Sequence, residues 1–248
     1  MNVVYEPRGR AKEYSELACN LYMGCTHACR YCFAPACMRK SSTEWHTQVS
    51  LRKNVISLFE KDAQALTGDS RRILFSFLSD PYQPLERKER LTRQALEIVR
   101  RYRLKSQILT KGCADLISED IPIMRQAKTQ LGITVCFTDD SLRQQWEPHA
   151  APIEDRFRIL QEAHDAKVFT WVSLEPVIDP EQALAVIEKA TSYVDFWKVG
   201  KLNHMKSEED KVNWQKFKTD VESLLVRLKS NFYIKDDLRN FSFSQAQR

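Results

Sequence analysis

From residue 73 onward the chain alternates short apolar runs with amphipathic stretches, and this pattern limits the fold more than any other feature. Ile73–Leu78, Gln107–Thr110, Ile133–Phe137, Val168–Leu174 and Val194–Val199 read as strands, with Phe232–Ile234 as a last short one. Between them, helical spacing is expected over Arg90–Arg103, Glu119–Leu131, Ile153–Ala166, Pro180–Ala190 and Lys211–Lys229. Upstream, Leu17–Met23 reads as the first strand and residues 45–66 as a helix stopped by Gly68. Strands that alternate with helices form βαβ units and a parallel sheet. Six such units fall short of the eight that close a barrel. The expected fold class is α/β, a partial (β/α)6 TIM-type barrel in one domain over residues 1–240. Within it, 1–18 form an N-terminal extension and 203–240 a C-terminal helix and short strand, followed by a tail over 241–248. A chain of 248 residues with 43% hydrophobic content can bury the core this requires.

The second constraint is chemical. Cys25, Cys29 and Cys32 stand in a C-x3-C-x2-C spacing within N-L-Y-M-G-C-T-H-A-C-R-Y-C-F-A-P-A-C, residues 20–37. Three thiolates within eight residues suit a soft metal centre, either zinc or an iron–sulfur cluster. A structural zinc site usually pairs C-x2-C with a distant second pair, and none exists here because Cys113 and Cys136 are isolated. Three cysteines on one loop suit a [4Fe–4S] cluster whose fourth iron takes a non-protein ligand. Two alternatives remain: Cys37 as a fourth thiolate in a closed, non-catalytic site, or His27 drawn into zinc binding.

With an aromatic residue, Tyr31, before the last cysteine, the loop resembles that of radical S-adenosylmethionine (SAM) enzymes, whose superfamily also uses a partial (β/α)6 barrel. The resemblance implies that SAM chelates the open iron. An electron from the cluster would then cleave it to a 5'-deoxyadenosyl radical that abstracts hydrogen from a substrate.

In parallel α/β folds chemistry gathers at the C-terminal ends of strands. After the second strand, Asp80 in S-D-P-Y-Q-P is either an acceptor for a cationic ligand group or a turn cap. After the third, Lys111 in T-K-G-C is either an anion partner in the barrel mouth or an outward-reaching side chain. After the fourth, Cys136 to Asp140, with Thr138, offer hydroxyl and carboxylate groups to hold the ribose or carboxylate of a ligand, and Asp139 and Asp140 equally suit a helix cap. The fifth strand ends at Glu175, placed to direct a carboxylate toward the cavity. Trp197 to Lys201 could line a lateral opening, although Trp171 and Trp197 more simply belong to the core.

Further phrases resemble one branch, the spore photoproduct lyase-related family. They are Y-E-P-R-G-R-A-x-E-Y (5–14), the cysteine loop, S-D-P-Y-Q-P-x-E (79–86), T-K (110–111), E-P (147–148) with Arg156, and E-P-V-I (175–178). This resemblance implies that Cys25, Cys29 and Cys32 hold the cluster, and that Tyr31 and Phe33 pack by the adenine. It places Lys111 with Cys136 or Thr138 on the SAM carboxylate and Ser79 beside the sulfonium; Asp80 and Glu175, at their strand ends, are the further candidates for binding SAM. The chain departs from that family in lacking its C-terminal hairpin, and Ser79 stands where those lyases carry a hydrogen-donating cysteine. Cys113 and Cys136 are the candidate substitutes.

Net charge is +5, but residues 71–111 hold eleven Lys/Arg against four Asp/Glu. That balance suits either a solvated helix face or a nucleic-acid track. An odd count of seven cysteines argues for a reducing compartment, and the lack of a long apolar run for a cytoplasmic protein with no membrane partner. The expected partners are SAM, an external electron donor of the flavodoxin or ferredoxin type, and a nucleic-acid substrate. The alternative substrates are a protein, a peptide or a small metabolite.

Overall fold

A computed structural model describes residues 2–241. The part of the expected tail from 242 on lies outside them. Among the described residues ten strands form two sheets: β1 (Val4–Tyr5), β2 (Leu17–Cys19), β3 (Tyr22–Met23), β4 (Ser50–Leu51), β5 (Arg72–Phe75), β6 (Lys105–Thr110), β7 (Gln130–Thr134), β8 (Thr170–Val177), β9 (Phe196–Lys201) and β10 (Phe232–Ile234). The main sheet runs β1-β2-β5-β6-β7-β8-β9-β10; all its pairings are parallel except β1 with β2. β10 therefore adds a seventh parallel strand beyond the six units counted from the sequence.

A strand covered on both faces favours an apolar run, as with Ile73, Leu74 and Phe75 in β5, all about fully buried. The covering helices pack in chain order: Val55–Ala65 on Leu91–Tyr102, that helix on Ala114–Ala127, and this in turn on Ile153–Asp165. Their ends follow local chemistry. Arg103 and Lys128 close two helices in left-handed backbone, and Asp179 accepts from the Glu181 and Gln182 N–H groups to start Pro180–Ala190.

Several boundaries differ from the sequence pattern for tertiary reasons. The expected strand Leu17–Met23 breaks at Asn20, whose Oδ1 accepts from the Phe77 and Leu78 N–H groups at 3.0 and 2.9 Å. Beyond it, Tyr22–Met23 pairs with Ser50–Leu51, which divides the expected helix 45–66 into Ser42–Thr47 and Val55–Ala65. The helix expected at 119–131 spans Ala114–Ala127, because Gln130 and Leu131 are drawn into β7 beside β6. A helix over Asp140–Trp146 was not expected from the sequence. Among the described residues no helix is long and apolar enough to cross a membrane.

Candidate functional site

The cysteine loop leaves β3 through Gly24, at φ +83°; a Cβ there would lie 2.8 Å from the Trp45 carbonyl oxygen. Only glycine fits that turn. The loop is then fastened at several points. Cys25 N–H donates to Trp45 O at 3.2 Å, and His46 Nδ1 lies 2.7 Å from Cys25 O. Arg30 N–H donates to Trp146 O at 2.9 Å, and His149 N–H to His27 O at 3.2 Å.

The loops after β5 and β6 are joined through Asp80. Its Oδ1 accepts from the Tyr82 N–H at 2.8 Å and the Thr110 hydroxyl at 2.5 Å, and its Oδ2 from the Lys111 N–H at 2.8 Å. Gly112 permits this contact, since a Cβ there would sit 2.3 Å from Tyr82 O. His27, fully buried, brings Nδ1 to 3.5 Å from Asp80 Oδ2. Burial holds its pKa below the usual histidine range, against the pull of Asp80.

Beneath the loop lies a buried ion pair. Glu147 and Arg156 meet at 2.6 Å with almost no exposure, and the Tyr31 phenol donates to Glu147. Arg156 also donates to Thr134 O and Ala151 O at 3.0 and 2.9 Å, while Ala151 N–H donates to Lys111 O at 2.8 Å. Burial alone would raise the Glu147 carboxyl, but Arg156 and Lys111 hold it below the usual range. Burial would likewise neutralise Lys111, but Cys29, Glu147 and Asp80 outweigh it and keep the ammonium charged.

These parts surround one cavity of about 640 Å³ at the C-terminal edge of the parallel sheet. Its walls include Cys25, Cys29, Cys32, Tyr31, Phe33, Ser79, Asp80, Lys111 and Glu175. Three predicted residues lie elsewhere. Cys136 is fully buried and packs in the core behind the end of β7. Cys113 caps the helix Ala114–Ala127, and Thr138 donates its N–H and hydroxyl to Gln182 Oε1 at 2.9 and 2.8 Å. From β7 it is Thr134 that reaches the cavity.

His27, considered from the sequence as a zinc ligand, also lines the cavity, and other lining residues were not picked out from the sequence, among them Thr134, Ser173, Lys235 and Tyr14. Thr134 and Ser173 are register partners on β7 and β8, and each follows a buried apolar residue (Ile133, Val172), a polar interruption that strand alternation could have flagged. Lys235 follows β10 as Lys111 follows β6. It donates to both Glu175 oxygens at 2.8 and 2.7 Å, and the Tyr14 phenol donates to the same carboxylate at 2.5 Å. Tyr14 arrives on the N-terminal segment, which no local pattern places inside a barrel.

The donor set fits an iron–sulfur cluster with an organic ligand. Burial raises all three thiols, Cys29 to about 12, so their ionised forms need the positive charge of a metal centre. Among the described residues no three His, Cys, Asp or Glu side chains converge closely enough for a single metal ion. A four-iron cluster takes its thiolates at separate corners and asks for no such convergence. Cys37, the alternative fourth thiolate, is exposed and does not line the cavity. Ser79, which does line it, holds its Oγ buried without any hydrogen-bond partner. An orphaned hydroxyl there fits a polar ligand atom.

No family model matches the sequence. The chain is 27% identical over 195 residues to an uncharacterized protein of Methanocaldococcus jannaschii, covering 77% of this chain and 72% of that protein. It is 26% identical over 167 residues to an uncharacterized protein of Mycobacterium tuberculosis, covering 64% of this chain and 48% of the other. Among solved structures, a spore photoproduct lyase variant superposes with a TM-score of 0.71 at 11% identity, covering 93% of this chain and 79% of that one. SuiB of Streptococcus suis bound to S-adenosylmethionine gives 0.63 at 13%, covering 88% and 45%. A radical SAM methyltransferase of Sphaerobacter thermophilus gives 0.59 at 13%, covering 88% and 65%.

Proposed function

We propose that this chain, which folds as a radical SAM partial barrel of the spore photoproduct lyase-like form, is a radical SAM enzyme. The observation that carries the proposal is that one cavity at the C-terminal edge of the sheet gathers the three loop cysteines with Ser79, Asp80 and Lys111. Cys25, Cys29 and Cys32 would hold a [4Fe–4S] cluster. Bound together, the cluster and SAM would supply one-electron cleavage to a 5'-deoxyadenosyl radical able to abstract hydrogen.

The chain's own residues provide binding and exclusion. Lys111, charged and enclosed, suits a ligand carboxylate. Ser79 offers its free hydroxyl. Asp80 has both oxygens engaged with Tyr82, Thr110 and Lys111, so its part is to position Lys111 and to add negative charge near a ligand ammonium. Tyr31 and Phe33 offer aromatic surface at the cavity wall. Single-domain organisation over 1–240 and a reducing, cytoplasmic setting belong to the same proposal.

For the substrate we propose a nucleic acid, on the family resemblance and on Arg8, Arg10, Lys201 and His204 at the cavity wall. The basic segment 71–111 gives no support to this, because its helix arginines are spoken for: Arg87, Arg90, Arg93, Arg100 and Arg101 each pair with a carboxylate. A peptide or metabolite is the second substrate class, favoured by the pairing of Arg10 with Asp237 and Lys201 with Glu209. The test is anaerobic reconstitution followed by dithionite and SAM. Release of 5'-deoxyadenosine, lost in Cys29→Ala and kept in Cys37→Ala, is expected; metal loss in Cys37→Ala without any release would establish a closed four-thiolate site instead. Turnover of ultraviolet-irradiated DNA then tests the substrate.

A further inference from the structure

We propose that the chain carries a second binding site, at the N-terminal ends of its parallel strands, for a small anion attached to a flat ring, such as an aryl phosphate. A cavity of about 390 Å³ opens there. Arg72, Gln130 and Phe196, each the first residue of its strand, line it, so it lies at the opposite end of the sheet from the cysteine loop. Of its lining residues only Tyr14 also lines the larger cavity. In barrels of this kind chemistry sits at the C-terminal ends of the strands, and the N-terminal ends serve stability. The side chains gathered here are not those that stability asks for.

Three cations, Lys12, Arg72 and Lys198, line the cavity, and among the described residues none of them meets a carboxylate at ion-pair distance. Two acids share the lining. Glu13 is taken by the Tyr233 phenol, by the Asp236 N–H at 2.7 Å and by Lys235 at 3.8 Å, and Glu16 is exposed. Donors exceed acceptors. Lys198 donates to Glu13 O and Tyr14 O at 3.1 and 2.9 Å, which leaves one N–H of its ammonium. Arg72 donates once, to Ser106 O at 3.1 Å, which leaves the rest of its fork. Trp171, which also lines the cavity, holds its indole N–H buried without an acceptor. Unmet donors ask for a partner, and an anion offers acceptors to several at once. Phe196 and Phe169, the latter 42% exposed, line the same cavity. A flat ring on the anion would cover apolar surface that a bare ion leaves wet.

The test titrates the full chain, reconstituted with iron and sulfide, by calorimetry with phenyl phosphate and with inorganic phosphate. Phenyl phosphate is expected to bind at one site, about tenfold more tightly than inorganic phosphate. Arg72→Gln should weaken it about tenfold, since a charge-assisted bond is lost. Lys12→Glu, an exposed change that leaves the fold intact, should weaken it about threefold. Cys29→Ala should bind it as the wild type does, because the cysteine loop is at the other end of the sheet. No binding by the wild type at millimolar concentration would overturn the site. Unchanged binding in both Arg72→Gln and Lys12→Glu, or loss of binding in Cys29→Ala, would place the ligand elsewhere and overturn it as well. Equal affinity for the two phosphates would overturn the ring, and with it the ligand class.

Discussion

Two groups of tyrosine, glutamate and cation flank the cavity, alike in composition and different in placement. Under the cysteine loop, Glu147 joins Tyr31 and Arg156; the ion pair itself has almost no exposed surface, and of the three only Tyr31 lines the cavity. Across the cavity, Glu175 joins Tyr14 and Lys235 and lines the space directly. The arginine fork also donates to Thr134 O and Ala151 O, tying the strand β7 and the 146–151 segment to the loop. Lys235 instead commits its closest contacts to one carboxylate, with Glu13 further off at 3.8 Å. The first group therefore positions the loop, and the second presents polar atoms to whatever enters. Geometry around the cation separates the two roles.

The contrast is broken most severely at Glu147. Glu147→Ala leaves a buried guanidinium unpaired and is expected to lose about 3–5 kcal/mol in urea unfolding, with loss of iron uptake. The double change Glu147→Met/Arg156→Met should recover much of that stability, since no charge is then stranded. Wild-type stability in Glu147→Ala would show that the pair does not hold the loop. Glu175→Gln is expected to cost less, about 1–3 kcal/mol, because the cavity lets water reach the freed groups; iron uptake should stay at the wild-type level. If uptake falls as far as in Glu147→Ala, the two groups share one role.

A finer comparison removes only the phenols. Tyr31→Phe and Tyr14→Phe should each cost about 1 kcal/mol, but only Tyr31→Phe should alter the visible or EPR spectrum of the reconstituted cluster. The smallest effect concerns pH. Lys198, beside Tyr14, donates to the Tyr14 and Glu13 carbonyls, and burial lowers its pKa to about 8. Between that value and the unfolded lysine value of about 10.4, the unfolded chain binds more protons, so stability rises with pH. Lys198→Met should flatten that rise in unfolding measured from pH 8 to 10.5; an unchanged slope would locate it in other groups.

Much of this was legible in one dimension. The alternation from residue 73 placed Pro180–Ala190 at its observed ends and Ile153–Ala166 within one residue, because those helices have local start signals and no competing partner. The elements around the cysteine loop were mislaid for the opposite reason. Ser50–Leu51 is a strand only because Tyr22–Met23 lies beside it, and Asn20 ends β2 only because residues 77–78 offer their N–H groups. The side chains followed the same division: Cys25, Cys29, Cys32, Ser79, Asp80 and Lys111 sit in short motifs at strand ends and reach the cavity. Thr138 and Cys136 lie a few residues past the end of β7 at Thr134, a boundary the apolar run Ile133–Phe137 does not reveal.

By itself, then, the sequence determined the parallel βαβ architecture and the cysteine loop, both set by spacing along the chain. Only the tertiary structure decided which carboxylate locks the loop, which lines the cavity, and that Tyr14 and Lys235 meet across 221 residues of separation at Glu175. Those contacts join groups distant in sequence, and their energies depend on burial and on partners that appear only once the barrel has formed.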